Sequence, residues 1–87
     1  MYTRALALEW ARYHINVNAI APGYTDTETL RGIFHAEDGI LEKLIRSVPL
    51  KRLCQPREVG LLAVYLASEA SDYLTGQTIC LDGGILA

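Results

Sequence analysis

Few side chains in this sequence have the type and spacing to do chemistry. Asp26 and Glu28 lie two apart and have the residue types of an acid–base pair. They fall where a helix is expected to start, and carboxylates there answer free N–H groups and the positive end of the helix dipole. Cys54 and Cys80 are 26 positions apart, which fits neither a Cys-x-x-Cys redox pair nor a four-ligand zinc site. His14 and His35 are the only histidines, so no metal-ligand spacing exists and no metal is expected. Both histidines are expected in solvated loops. Cys54 has no neighbouring base or helix N-terminus to make it a nucleophile, and both cysteines are expected to be ordinary buried or half-buried residues. The run Pro22-Gly23-Tyr24-Thr25-Asp26-Thr27 offers three hydroxyls and main-chain donors and acceptors at the expected carboxyl end of a strand, where open α/β sheets bind ligands.

The elements around that run must position it. Residues 1–13 read as helix, with Ala5, Leu6, Ala7, Leu8 and Ala11 favouring it and Glu9 three before Arg12. Apolar residues surround this helix nearly completely, as in one buried on more than one side. No capping residue precedes Met1, so the helix is expected to lie partway along a longer one. Ile15–Ile20 reads as a strand with apolar residues on both faces, as in a parallel sheet covered on each side. Pro22 and Gly23 end it. Thr25, Asp26 and Thr27 are candidate N-caps, Thr27 above the others because Glu28 follows it.

Residues 28–48 read as two short helices with a joint. Gly32, Gly39 and the polar stretch His35–Asp38 interrupt them, and Ile40, Leu41, Leu44, Ile45 and Val48 recur at helical spacing. Pro56 opens another helix, with Val59, Leu62, Ala63, Leu66 and Ala67 as its stripe. A loop over 68–76 leads to a second strand, Thr78–Leu81, and then to Asp82-Gly83-Gly84. The order helix, strand, two short helices, helix, strand contains one crossover between parallel strands.

The chain has 87 residues and a formal net charge of −2, with 8 basic and 10 acidic side chains. Leu, Ile, Val and Phe account for 25 of the 87, too many for a disordered chain. The basic residues are scattered, which argues against nucleic acid or an anionic membrane surface as partner. No apolar run has the length of a membrane-spanning helix, and Arg4, Glu9 and Arg12 do not fit a signal peptide. A cytoplasmic setting is the expectation. Two parallel strands do not complete a sheet of this kind, so the chain reads as part of a larger α/β domain.

Assembled in order, these blocks resemble the C-terminal third of a short-chain dehydrogenase/reductase. Thr3–Glu9 is similar to the later part of that family's catalytic helix, and Ile15–Gly23 to its sixth strand and Pro-Gly turn. Pro49–Leu53 with Pro56–Val59 resembles the segment leading into the last long helix. Leu66-Ala67-Ser68, Thr75–Thr78 and Leu81–Gly84 resemble the end of that helix and the seventh strand. The resemblance implies an α/β fold, the C-terminal part of a doubly wound parallel-sheet Rossmann domain, occupying residues 1–87. It implies NAD or NADP as cofactor of the full-length protein, a small carbonyl or alcohol substrate, and hydride transfer between the two.

By that resemblance Pro22 and Gly23 face the nicotinamide ring. The main chain of Thr25 bonds the carboxamide, and the Thr27 hydroxyl reaches the carboxamide or a phosphate oxygen. A helix start near Thr27 would favour a phosphate. Residues 28–48 become the substrate lid, with Ile33, Phe34, Ile40 and Leu44 against the substrate or packed beneath the lid. The first helix, last helix and final strand become subunit contacts of a homo-oligomer.

The family's Gly-x-x-x-Gly-x-Gly loop is not among the seven glycines. The family's catalytic Tyr-x-x-x-Lys is also missing. Four positions after Tyr2, Tyr13, Tyr24, Tyr65 and Tyr73 stand Leu6, Val17, Glu28, Glu69 and Gln77. No catalytic residue is therefore assigned, and the 87 residues alone are expected to be inactive. The alternative is a truncated, non-catalytic remnant acting as a binding or oligomerisation module. Sugar acids, acyl-thioester ketones and polyols all remain open as substrates.

Overall fold

The computed structural model describes residues 2–34 and 39–87. Helix α1 spans Tyr2–Trp10 and tightens into a 3-10 turn over Ala11–Tyr13. Strand β1 is Ala19–Pro22, followed by α2 (Glu28–Ile33), α3 (Ile40–Ser47) and α4 (Pro56–Leu66). A second 3-10 turn, Glu69–Ser71, leads to β2, Thr78–Leu81. The predicted order of elements is present, and β1 and β2 pair in parallel with Ala19 opposite Thr78 and Pro22 opposite Leu81.

His14 reverses the chain after α1. It adopts the left-handed conformation at φ 59° and donates its N–H to the Ala11 carbonyl at 3.0 Å.

Strand β1 starts later and runs further than the sequence predicts. Residues 15–18 are not in the ladder because their polar groups are used elsewhere. Asn16 Nδ2 donates to the Asp72 carbonyl at 2.9 Å and Asn18 Nδ2 to the Leu74 carbonyl at 2.9 Å. Val17 N–H donates to Thr75 Oγ1 at 2.9 Å, and the Val17 carbonyl accepts from Gly76 N–H at 2.7 Å. Two asparagines at alternate positions thus fasten this stretch to the 71–77 loop before the ladder begins.

Pro22 is tolerated in the strand because of register. Ala19 and Gly23 donate to the Gln77 and Leu81 carbonyls at 2.9 and 2.8 Å. In a parallel ladder alternate residues point at the same neighbour, so the missing N–H of Pro22 would have pointed away from β2.

The buried apolar side chains among the described residues are Ala7, Leu41, Val48 and Leu53. Leu41 and Val48 come from α3 and its end, Leu53 from the segment before α4, and Ala7 from the middle of α1. Val59, Leu62 and Leu66 of the predicted α4 stripe are half-buried, while Ala63 and Ala67 are exposed. Cys54 is half-buried, but Cys80 is exposed, contrary to the expectation for it. Cys80 sits on a strand of a two-stranded sheet in which neither face is fully covered, so alternate β2 residues reach solvent.

Large apolar side chains are also exposed on α1 (Tyr2, Leu8), on α4 (Leu61, Val64) and beyond β2 (Leu86). The chain is elongated, 53 × 23 × 23 Å, with a radius of gyration of 16.0 Å. A compact domain of this length would have about 12 Å. Among the described residues no helix is long and apolar enough to cross a membrane.

Candidate functional site

The candidate site is built on the turn between β1 and α2. Open parallel α/β sheets bind ligands where strands end at their carboxyl side, and Pro22–Thr27 occupies that place after β1. Gly23 continues the ladder one residue past β1 through its bond to Leu81. A Cβ on Gly23 would stand 2.9 Å from Asp82 Cα, so only glycine lets the turn lie this close to the chain leaving β2.

The next residues are held from the other side by Cys54. Its N–H donates to the Tyr24 carbonyl at 2.9 Å, and its carbonyl accepts from Asp26 N–H at 2.7 Å. Thr25 is therefore the centre of an isolated parallel bridge. In that geometry the residue between the two bonded neighbours turns its own N–H and C=O the opposite way. Neither group of Thr25 takes part in a hydrogen bond among the described residues. The Thr25 hydroxyl donates to the Gly23 carbonyl at 3.1 Å, which stiffens the turn. One donor and one acceptor are thus presented side by side on rigid backbone, a pattern that complements a primary carboxamide.

Thr27 is the N-cap of α2, as its sequence position predicts. Its φ of −123° is extended, and its Oγ1 accepts from Leu30 N–H at 3.1 Å. Accepting leaves the hydroxyl proton available to a ligand oxygen, so capping and ligand binding are compatible.

Asp26 does not serve the helix end. Both its carboxylate oxygens are taken by Arg31, at 2.5 Å to Nε and 3.1 Å to Nη2. The Arg31 guanidinium holds the Asp26 carboxyl below the usual carboxylate range. Glu28 stands in the first turn of α2, as expected. Asp26 and Glu28 therefore do not form an acid–base pair.

The Val48–Glu58 segment supports the turn from below. Leu50 N–H donates to the Gly83 carbonyl at 3.1 Å. Gly83 has φ +65°, and a Cβ there would lie 2.6 Å from Val48 Cγ1. Arg52 makes a two-pronged bond to Glu58, at 2.6 and 2.9 Å, and Glu58 Oε1 also accepts from Gln55 N–H at 3.0 Å. These bonds, that from Arg52 foremost, hold the Glu58 carboxyl down to about 2. Burial, followed by the nearby Glu58 charge, pushes the Cys54 thiol up. That disposes further against Cys54 as a nucleophile.

Of the lid residues, Ile33 and Ile40 are exposed, while Phe34 and Leu44 are half-buried. The joint between α2 and α3, including His35, lies outside the described residues. His14 is exposed. No cluster of three His, Cys, Asp or Glu side chains that could hold a metal occurs among the described residues. The contribution of Cys54, Arg52 and Glu58 to the site is not legible from their types. It arises from main-chain bonds and from a pair six residues apart across Pro56, which neither a continuous helix nor an extended strand would bring into contact.

The fold is a parallel α/β arrangement with an open turn at the carboxyl end of β1, the place where such sheets bind ligands. Comparison with known proteins makes this specific. Residues 1–86 match the family model described as enoyl-(acyl carrier protein) reductase. The 2-dehydro-3-deoxy-D-gluconate 5-dehydrogenase of Dickeya dadantii is 49% identical over 85 residues, covering 98% of this chain and 33% of that protein. Oxidoreductase UcpA of Escherichia coli O157:H7 is 45% identical over 87 residues, 94% of this chain and 33% of the relative. Among solved structures, a protein from Agrobacterium tumefaciens assigned as a 2-deoxy-D-gluconate 3-dehydrogenase, with bound NADP, superposes at a TM-score of 0.89. It has 38% identity over 98% of this chain and 34% of the other. A second Agrobacterium tumefaciens protein, assigned as a gluconate dehydrogenase, gives a TM-score of 0.90 and 41% identity over all of this chain and 34% of the other. The chain belongs to the short-chain dehydrogenase/reductase family, oxidoreductases that bind NAD(P) on a Rossmann fold. It spans about a third of the length of the relatives it matches.

Proposed function

We propose that these residues are the C-terminal third of an NAD(P)-dependent dehydrogenase, and that Pro22, Gly23, Thr25 and Thr27 hold the nicotinamide end of its cofactor. The observation that carries this is the main-chain pair of Thr25, turned away from Cys54 and unused among the described residues. The Thr27 hydroxyl proton adds a second donor. Gly23, lacking a side chain, keeps the turn seated against Asp82. When bound, the reduced cofactor would give hydride to a carbonyl carbon, and the oxidised cofactor would accept it from the carbinol carbon of the corresponding alcohol. These residues orient the cofactor and perform no proton transfer themselves.

The placement in a larger domain is supported by the open two-stranded sheet, the exposed apolar faces of α1 and α4, and the third of each relative that is matched. The acid and its cation would come from residues outside these 87, because no Tyr-x-x-x-Lys occurs here. Residues 28–48 would cover the substrate, and α1, α4 and β2 would contribute to contacts between subunits. The names of the sugar-acid dehydrogenases among the relatives make a hydroxylated sugar acid the first substrate to test.

The test is direct. The natural gene product carrying residues 1–87 is titrated with NAD and with NADP, and then assayed with gluconate and related keto acids. Saturable nicotinamide binding that Thr27→Ala weakens is the expected result. A protein that binds neither nucleotide sinks the reading. The isolated 87-residue chain should turn over no carbonyl; turnover by it would place an acid where none is assigned.

A further inference from the structure

We propose that Arg52 and Glu58 are positioning residues for the cofactor turn, acting through the main chain of Cys54. This rests on the reading of Thr25 as a cofactor contact. Thr25 is free to bind only because Cys54 holds Tyr24 on one side and Asp26 on the other. Cys54 itself has no regular element to fix it, since it lies in the segment between α3 and α4 as a single bridging residue.

What fixes Cys54 is the pair that brackets it. Arg52, two residues before, is bound through Nη1 and Nη2 to Glu58 in the first turn of α4. Arg52 Nη1 also donates to the Leu53 carbonyl at 3.3 Å. Glu58 returns to the segment from the other end. Its Oε1 accepts from Gln55 N–H at 3.0 Å, and its own N–H donates to the Gln55 carbonyl at 2.8 Å. Residues on both flanks of Cys54 are therefore tied to one carboxylate, and that carboxylate is carried by a helix. A planar guanidinium fork is the side chain suited to this geometry, because two parallel bonds fix direction as well as distance.

The turn has a matching tie on its far side, where Asp26 is bound by Arg31 of α2. Arg52–Glu58 ties the bridge to α4, and Asp26–Arg31 ties it to α2. Between them the orientation of the Thr25 peptide groups is set. Arg52 and Glu58 need not touch the cofactor for this. Their side chains are 53% and 34% exposed, so the pair is a weak contributor to global stability. Its effect is local.

The experiment compares the natural gene product with Arg52→Met, Arg52→Lys and Glu58→Gln. It measures nicotinamide dissociation constants, kcat, and amide hydrogen exchange by NMR. Arg52→Met and Glu58→Gln should weaken NAD or NADP binding roughly two- to fivefold, the range of an exposed charge pair, and leave kcat unchanged within about twofold. Arg52→Lys keeps the charge without the fork and should fall between them and the parent. The amides of Cys54 and Asp26 should exchange faster in Arg52→Met, while that of Gly23, bonded to Leu81, stays as it was. Faster exchange at Cys54 and Asp26 with unchanged nucleotide binding overturns the positioning role and leaves the function standing. Faster exchange at Gly23 as well marks a general loss of stability and also overturns it. A parent protein that binds neither nucleotide removes the functional reading and this role with it.

Discussion

Replacing Gly23 by alanine tests how tightly the Pro22–Thr27 turn is pressed against the chain leaving β2. The added methyl would sit 2.9 Å from Asp82 Cα and 3.1 Å from its Cβ. Ordinary contact begins near 3.4 Å, so turn and strand must part by about 0.5 Å. The neighbour is backbone and cannot rotate away. The same movement stretches the Gly23–Leu81 hydrogen bond from 2.8 Å to about 3.3 Å, outside the usual range. Crowding of this kind costs about 1–3 kcal/mol, and the weakened bond adds up to ~1. Lower chain entropy in the unfolded alanine variant returns ~0.4–1 kcal/mol. The net expectation is a loss of roughly 2 kcal/mol.

In a protein of the relatives' length, of which this chain matches about a third, that corresponds to a Tm lower by roughly 4–8 °C. Thermal unfolding followed by circular dichroism reads it, with nicotinamide binding measured in parallel. Gly32→Ala is the control, because nothing lies within 4 Å of its added methyl and the site is helical. It should be neutral or stabilising by up to ~1 kcal/mol. A Gly23→Ala protein with unchanged Tm and nucleotide affinity would refute the steric account of this turn.

Three further outcomes are expected. Thr27→Ala removes the α2 cap and should cost about 1 kcal/mol in denaturant titration, while Thr27→Ser keeps the oxygen and most of the stability. Leu53, 5% exposed and one of few buried side chains, should cost about 2–5 kcal/mol when cut to alanine, as read from the midpoint of urea unfolding. Glu58 has its carboxyl lowered from 4.5 to about 2, so its contribution is present above pH 4.5 and is lost as the pH falls towards 2. Glu58→Gln should remove that component from the acid limb of a stability–pH curve, leaving the remainder unchanged.

Local chemistry was legible in the sequence wherever one residue decides one feature. Thr27 ahead of Glu28 marked the start of α2, and Pro56 marked α4. The glycines and polar stretch of residues 28–48 marked two helices rather than one. The start of β1 was not legible, because Asn16 and Asn18 choose their partners from a loop more than fifty residues away. Asp26 was assigned to the helix end, yet Arg31 offers it two charged donors within the next turn and wins. Pro22 looked like a stop and proved to be a paired residue whose imide faces away from its partner strand. At the site, Thr25 and Thr27 came from a family pattern. The support given by Arg52, Cys54 and Glu58 depends on which backbone groups face each other, and residue type does not encode that.

The parallel pairing of β1 with β2 also has a kinetic consequence. All four paired positions, from Ala19–Thr78 to Pro22–Leu81, are separated by 59 residues along the chain. Closing a flexible loop of that length costs roughly 3.6 kcal/mol beyond a constant term. A ladder of four residues repays this only once complete. Local helices that shorten the intervening chain lower this cost, so α2, α3 and α4 are expected to form before β2 pairs with β1. The Pro22–Thr27 turn, which hangs between Leu81 and Cys54, is then expected to take its shape only after that pairing.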